Sequence, residues 1–263
     1  MRVRSWCIAR NRNARLTRLW STCCSSSERE QEDTTADMTW LFDAAREGRV
    51  EPILEYAQSD SPNLDSRDSD GNTLLHWAVL KGKPTLVSAL VDHGVDINAL
   101  NARGVTALFY ASMLGDGSMV SLLVDQGARV NLHSMGSDAP TEHEVTRRTD
   151  LIDIELEKEI KLVCTPVQAA TVQGHFRVVL YLVQKGADVN IPAHNGNTAL
   201  HYACMKSFVG LASFLVESGA ALDARNDAGA VPADVAEDGM KDLLFEAVSP
   251  QKSATAPTNG PDA

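Results

Sequence analysis

Thr73-Leu74-Leu75-His76 returns one interval later as Thr106-Ala107-Leu108-Phe109, and Thr165-Pro166-Val167-Gln168 returns at the same interval as Thr198-Ala199-Leu200-His201. The same step again brings Val231-Pro232-Ala233-Asp234. Five residues after each first position stands an alanine: Ala78, Ala111, Ala170, Ala203 and Ala236. A second marker keeps the same phase. Gly94-Val95-Asp96-Ile97-Asn98 recurs as Gly127-Ala128-Arg129-Val130-Asn131, as Gly186-Ala187-Asp188-Val189-Asn190 and, more weakly, as Gly219-Ala220-Ala221-Leu222-Asp223. Two markers sharing one period of about 33 residues mean a stack of similar units rather than a single closed core.

Each unit reads as two helices. The threonines stand where a hydroxyl caps a helix start, and Pro166 takes the first helical position, where a missing N–H costs nothing. Gly82, Gly115 and Gly174 end the first helix in a left-handed turn. Val87, Leu90 and Val91, like Val179, Leu182 and Val183, have helical spacing for a second helix. Gly94, Gly127, Gly186 and Gly219 close it, and the segments after them read as short extended arms between turns. Trp40 to Gly48, with Ile53 and Leu54, fits a capping unit without the Thr start. The last unit has Val231 for Thr and Glu237-Asp238 at its turn, with Met240 to Val248 as a closing helix.

This double pattern resembles the ankyrin repeat. The resemblance covers about residues 39 to 247 and implies an all-α solenoid of helix pairs with β-hairpin turns, built as a cap plus about five units. The step from Thr106 to Thr165 is longer than one period and shorter than two. One long insertion, 132–161, therefore occupies a hairpin finger. Its first part reads as a polar loop. Its second, from Asp150 to Lys161, reads as a short acidic helix, although the alternation at Ile152, Ile154 and Leu156 suits a strand equally.

The expected organisation is a disordered basic head at 1–37 that could also serve as a targeting segment, a repeat domain at 38–247 and a disordered tail at 248–263. Residues 1–27 hold six Arg and no acid, whereas the chain from Met38 carries 17 basic and 30 acidic residues. The head resembles a transit peptide in composition. A disordered tail, a lipidated anchor using Cys7, Cys23 and Cys24, and a segment absent from the functional protein are the alternatives. The expected location is cytoplasmic, or mitochondrial if the head is a transit peptide. A net charge of -11 argues against nucleic acid as partner. No apolar run is long enough for a membrane span. Five Cys without C-x-x-C spacing argue against a disulfide or zinc framework, and Cys164 and Cys204 read as packed thiols.

No catalytic constellation emerges, so the expectation is not an enzyme, with no cofactor and no metal. His133 and His143 lie in the insertion without a ligand scaffold. In the family the His of the Thr motif, matched by His76 and His201, hydrogen-bonds backbone near the inter-repeat turn. The resemblance implies a protein-protein interaction module or scaffold, expected as a monomer, that binds a protein partner through its hairpin tips and concave helix face. An organelle-targeted or lipid-anchored adaptor is the alternative. Carried onto this chain, the contact residues are Asp70, Asn72, Arg103, Asn195 and Asn197 at the tips. On the first helices they are Trp77, Lys81, Tyr110, Leu114, Gln173, Tyr202 and Lys206. Trp77, Tyr110 and Tyr202 share one place, broken by Ala169, and read either as a binding stripe or as half-buried packing. Asn98, Asn131 and Asn190 each follow a Leu eight residues upstream, a context similar to that of asparaginyl hydroxylase sites. A turn-forming Asn is the competing reading.

Overall fold

The computed structural model describes residues 38–59, 62–132 and 165–236. The head, the insertion beyond Leu132, Cys164, the expected closing helix and the tail lie outside the described residues. The chain divides into two compact units, Met1–Trp40 and Leu41–Ala263, and the second holds the repeats.

Ten helices occur among the described residues, and they come in pairs. The cap contributes α1 (Thr39–Arg46) and α2 (Glu51–Ala57). Next come α3 (Leu74–Leu80) with α4 (Pro84–Asp92), α5 (Ala107–Leu114) with α6 (Gly117–Asp125), α7 (Pro166–Val172) with α8 (Phe176–Gln184), and α9 (Ala199–Met205) with α10 (Val209–Glu217). The first helices stack as α3 on α5, α5 on α7 and α7 on α9, while the second helices stack as α2 on α4, α4 on α6 and α6 on α8. This is an all-α solenoid. The first helices of the units on either side of the insertion, α5 and α7, are direct neighbours, so the stack passes the insertion without losing phase.

The first helices are too short to stand alone, at seven or eight residues. Packing holds them. Leu74, Leu108, Val167 and Leu200 are all buried, and the phased alanines Ala78, Ala111, Ala170 and Ala203 let the helices approach. Each fully buried Leu contributes about 2 kcal/mol of transfer free energy.

The helix starts are tied to the next unit. In α3 the Thr73 N–H donates to His76 Nδ1 at 3.1 Å, and the Thr73 hydroxyl lies 2.9 Å from the same nitrogen. Nδ1 is therefore the acceptor, so the proton sits on Nε2, which donates to the Val105 carbonyl of the following finger at 3.0 Å. His201 repeats this with Thr198 at 3.1 Å and Ala230 at 3.1 Å. Gln168 reproduces it without a ring: its Oε1 accepts from Thr165 N–H at 3.1 Å, and its Nε2 donates to the Ile191 carbonyl at 2.7 Å. In the last unit Asp234 accepts from Val231 N–H at 3.0 Å. Phe109 has no polar atom for the task, and α5 is capped instead by Thr106 Oγ1, which accepts from Phe109 N–H at 3.2 Å.

On the opposite edge an asparagine ladder joins the units. Asn98 Oδ1 accepts from Arg129 N–H, Asn131 Oδ1 from Asp188 N–H and Asn190 Oδ1 from Ala221 N–H, each at 2.8 Å. Asn131 and Asn190 also donate, to the carbonyls of Gly186 and Gly219. Their amides are thus structural links. The arms expected to be extended contain turns instead, with no strand among the described residues. The fingers close through tight loops, as where Asn101 N–H donates to the Val105 carbonyl at 3.0 Å.

The interhelical turns use left-handed glycines. Gly115 and Gly174, at φ 72° and 74°, also leave room for the next unit: a Cβ would lie 2.6 Å from the His175 ring and 2.9 Å from the Phe208 ring respectively. Ser207 holds the same place in α9's turn at φ 56°. Ser207→Gly is expected to stabilise the protein by about 1 kcal/mol in urea unfolding, because a side chain in this region is strained. His76→Ala is expected to cost about 2 kcal/mol by the same measurement, since it leaves the buried Thr73 N–H without its acceptor and removes the link from α3 to the Val105 carbonyl.

Candidate interaction surface

The predicted contact residues fall into two groups. Trp77, Tyr110 and Tyr202 are buried, at 8%, 3% and 4% exposure, so the rings face their own neighbours. Trp77 Nε1 donates to Asp68 Oδ2 at 2.9 Å. The Tyr110 hydroxyl accepts from Asn101 Nδ2 at 3.0 Å, and burial raises its pKa. The Tyr202 hydroxyl donates to Asn195 Oδ1 at 3.1 Å. Asn72 and Asn197 are also buried, and their side-chain oxygens accept from the next finger's Asn101 and Asn226 at 2.8 Å.

The second group reaches solvent. Lys81, Leu114, Gln173 and Lys206 stand at one place in successive units, at the C-terminal ends of the first helices. Lys81 and Gln173 are half-buried, and Leu114 and Lys206 are exposed, Leu114 at 47%. At the tips, Asp70, Arg103 and Asn195 are half-buried. Their loops are joined through backbone: Ala102 N–H donates to the Asp70 carbonyl and Asp227 N–H to the Asn195 carbonyl, both at 3.1 Å. Neighbouring tips are thereby linked, and the helix-end residues run beside them.

Sequence reading missed Asp68, Arg46 and Met205. Asp68 organises the first finger. Its Oδ1 accepts from the backbone N–H groups of Asp70 and Asn72, and its Oδ2 takes both Trp77 Nε1 and Arg46 Nη2, the latter at 3.2 Å. The Arg46 guanidinium lies 5.3 Å from the centre of the Trp77 ring, within cation–π range. The available signal was phase, since Asp68 stands one period before Asn101, whose Oδ1 likewise accepts from Arg103 and Val105. Met205 is 49% exposed beside Lys206.

Other chemistry is sparse. Cys204 is fully buried, and burial pushes its thiol up to about 11, the behaviour of a packing residue. Among the described residues no group of three His, Cys, Asp or Glu is placed to hold a metal, and no helix is long and apolar enough to cross a membrane.

Comparison with known proteins agrees with this geometry. Family models described as ankyrin repeats match residues 41–134, as three copies, and 167–216, as many copies, together more than half of the chain. The chain is 38% identical over 82 residues to mouse protein phosphatase 1 regulatory subunit 27, which is 30% of this chain and 53% of that protein. It is 36% identical over 75 residues to the human counterpart, 28% of this chain and 49% of that protein. A match over 67 residues at 36% identity links it to acyl-CoA-binding domain-containing protein 2 of Arabidopsis thaliana, covering 26% and 19% respectively. The chain thus spans about half the length of the phosphatase subunits it matches.

Asp68→Ala is expected to destabilise the first full unit by about 2–3 kcal/mol, because the Trp77 Nε1–H and the backbone N–H groups of Asp70 and Asn72 lose their acceptor and Arg46 keeps only its longer pairing with Asp43. Urea unfolding followed by tryptophan emission measures this.

Proposed function

Because the chain belongs to the ankyrin-repeat family, we propose that it is a non-catalytic protein-interaction module, holding a protein partner along its finger tips and first-helix ends. The observation carrying this reading is the division of labour within each unit. The residues beneath the surface are committed to hydrogen bonds and packing. The row Lys81, Leu114, Gln173 and Lys206 changes chemistry from unit to unit on one repeated backbone. A rigid frame that displays differing side chains at fixed spacing suits recognition, since little ordering entropy remains to be lost on binding. Leu114 in that row, and Met205 beside Lys206, offer exposed apolar surface to a partner.

The likeness to a phosphatase 1 regulatory subunit supports protein phosphatase 1 as the first partner to test. It extends over about half of that relative. In the full chain, a photo-crosslinking residue at Leu114 is expected to capture the partner, and one at Ser213, exposed on α10, is not. Equal capture at both positions, or capture at Ser213 alone, rules out this surface.

A further inference from the structure

The fourth place of the Thr-led units reads His76, Phe109, Gln168 and His201 in order along the stack. Three of these side chains make the same connection, closing their own helix start and reaching the finger of the following unit. The two histidines lie toward the ends of the stack. The two middle residues have no group that titrates. We propose that this solenoid loosens from both ends in mild acid, because protonation of His76 and His201 opens the outer junctions while the contacts of α5 on α7 and α7 on α9 stay closed.

The hydrogen-bond pattern requires a neutral ring. Nδ1 of each His accepts a backbone N–H, and Nε2 already donates. A second ring proton would face the Thr73 or Thr198 N–H, and the cation would be buried, as both residues are wholly inaccessible. Burial accordingly pushes His76 from 6.5 down to about 4 and lowers His201 as well. Once a junction opens, its ring is in water and titrates near 6.5. The closed form is thus fully favoured above pH 6.5 and loses ground as pH falls below it.

The surrounding charges do not reverse this. Around His76 stand Arg67 and Asp68, which act in opposite directions. Asp68 is engaged by Arg46 and Trp77. Helices α3 and α5 carry no charged residue. Asp43 of α1, Lys81 at the end of α3, Lys83, Asp92 and His93 at the two ends of α4, Asp70 of the preceding finger, and Asp96 and Arg103 of the receiving finger are further charged or titratable groups on the adjoining elements, and the Tyr110 ring meets His76 edge-on at 6.1 Å. Around His201, α7 brings no charge, α10 brings Glu217 at its far end, and Lys206 follows α9. The receiving finger has exposed Asp227 and Arg225, whose guanidinium donates to the Gly229 carbonyl. Asp234 closes the start of the last unit.

Three equivalent amides make the test internal. Thr73 and Thr198 N–H donate to His, and Thr165 N–H donates to Gln168. Amide exchange of the full chain at pH 7.5 and 5.5, corrected for the intrinsic exchange rate, reads each junction. Thr73 is expected to lose about ten-fold in protection, Thr198 to fall in the same direction, and Thr165 to hold, as follows from rings that titrate near 6.5 when open. The His76→Gln/His201→Gln variant is expected to abolish the loss, since Gln168 shows that Gln makes the same bonds. A loss at Thr165 equal to that at Thr73 overturns the proposal, as does a pH effect that survives in the Gln variant. Should that variant not fold, a His76 titration by NMR in the native protein decides: a midpoint well below 6.5 in the closed state is expected, and one at or above 6.5 overturns the proposal.

Discussion

In three of the units one side chain, His76, Gln168 or His201, both closes a helix and binds the next unit. The first helices have at most eight residues, so their exposed N–H groups are a large fraction of their backbone and nucleation is costly. An acceptor at the fourth place satisfies the Thr amide, and a donor on the same side chain takes a carbonyl from the following finger. Helix formation and stacking are therefore coupled at one residue. A unit whose neighbour leaves loses part of its own start, which is how a linear array acquires cooperativity beyond nearest-neighbour apolar contact.

The junction at the insertion shows what replaces that coupling. The Phe109 side chain donates nothing, and there α5 and α7 rely on buried apolar surface, including Phe109, Met113, Val167 and Ala169. Polar links persist on the other edges, where His175 Nε2 lies 3.0 Å from the Met113 carbonyl and Asn131 bonds both Gly186 and Asp188. Lys185 and the Tyr181 hydroxyl also reach Asp125. With several edges in contact, the stack tolerates the loss of one link and a long insertion at the same junction.

This architecture separates the side chains that hold the stack from those that reach solvent. In the sequence, Trp77, Tyr110 and Tyr202 suit a partner and internal packing equally, because a ring at a regular helical place carries no mark of what covers it. Neighbouring units cover it in the folded chain. The row one turn further along, Lys81, Leu114, Gln173 and Lys206, is less covered and reaches solvent.

The repeat, the helix pairs, the left-handed glycines and the Thr starts were legible in the sequence because each is a local demand repeated at a fixed interval. Phase alone located Asn98, Asn131 and Asn190 and the two histidines. Tertiary structure decided what depends on residues distant in the chain. It made Gln168 the equal of His76, because an amide offers the same acceptor and donor when a carbonyl waits on the next finger. It turned Asp68 into an anchor by bringing Arg46 and Trp77 to one carboxylate oxygen. It buried three aromatics that composition could not place, since burial is a property of the neighbour as much as of the residue.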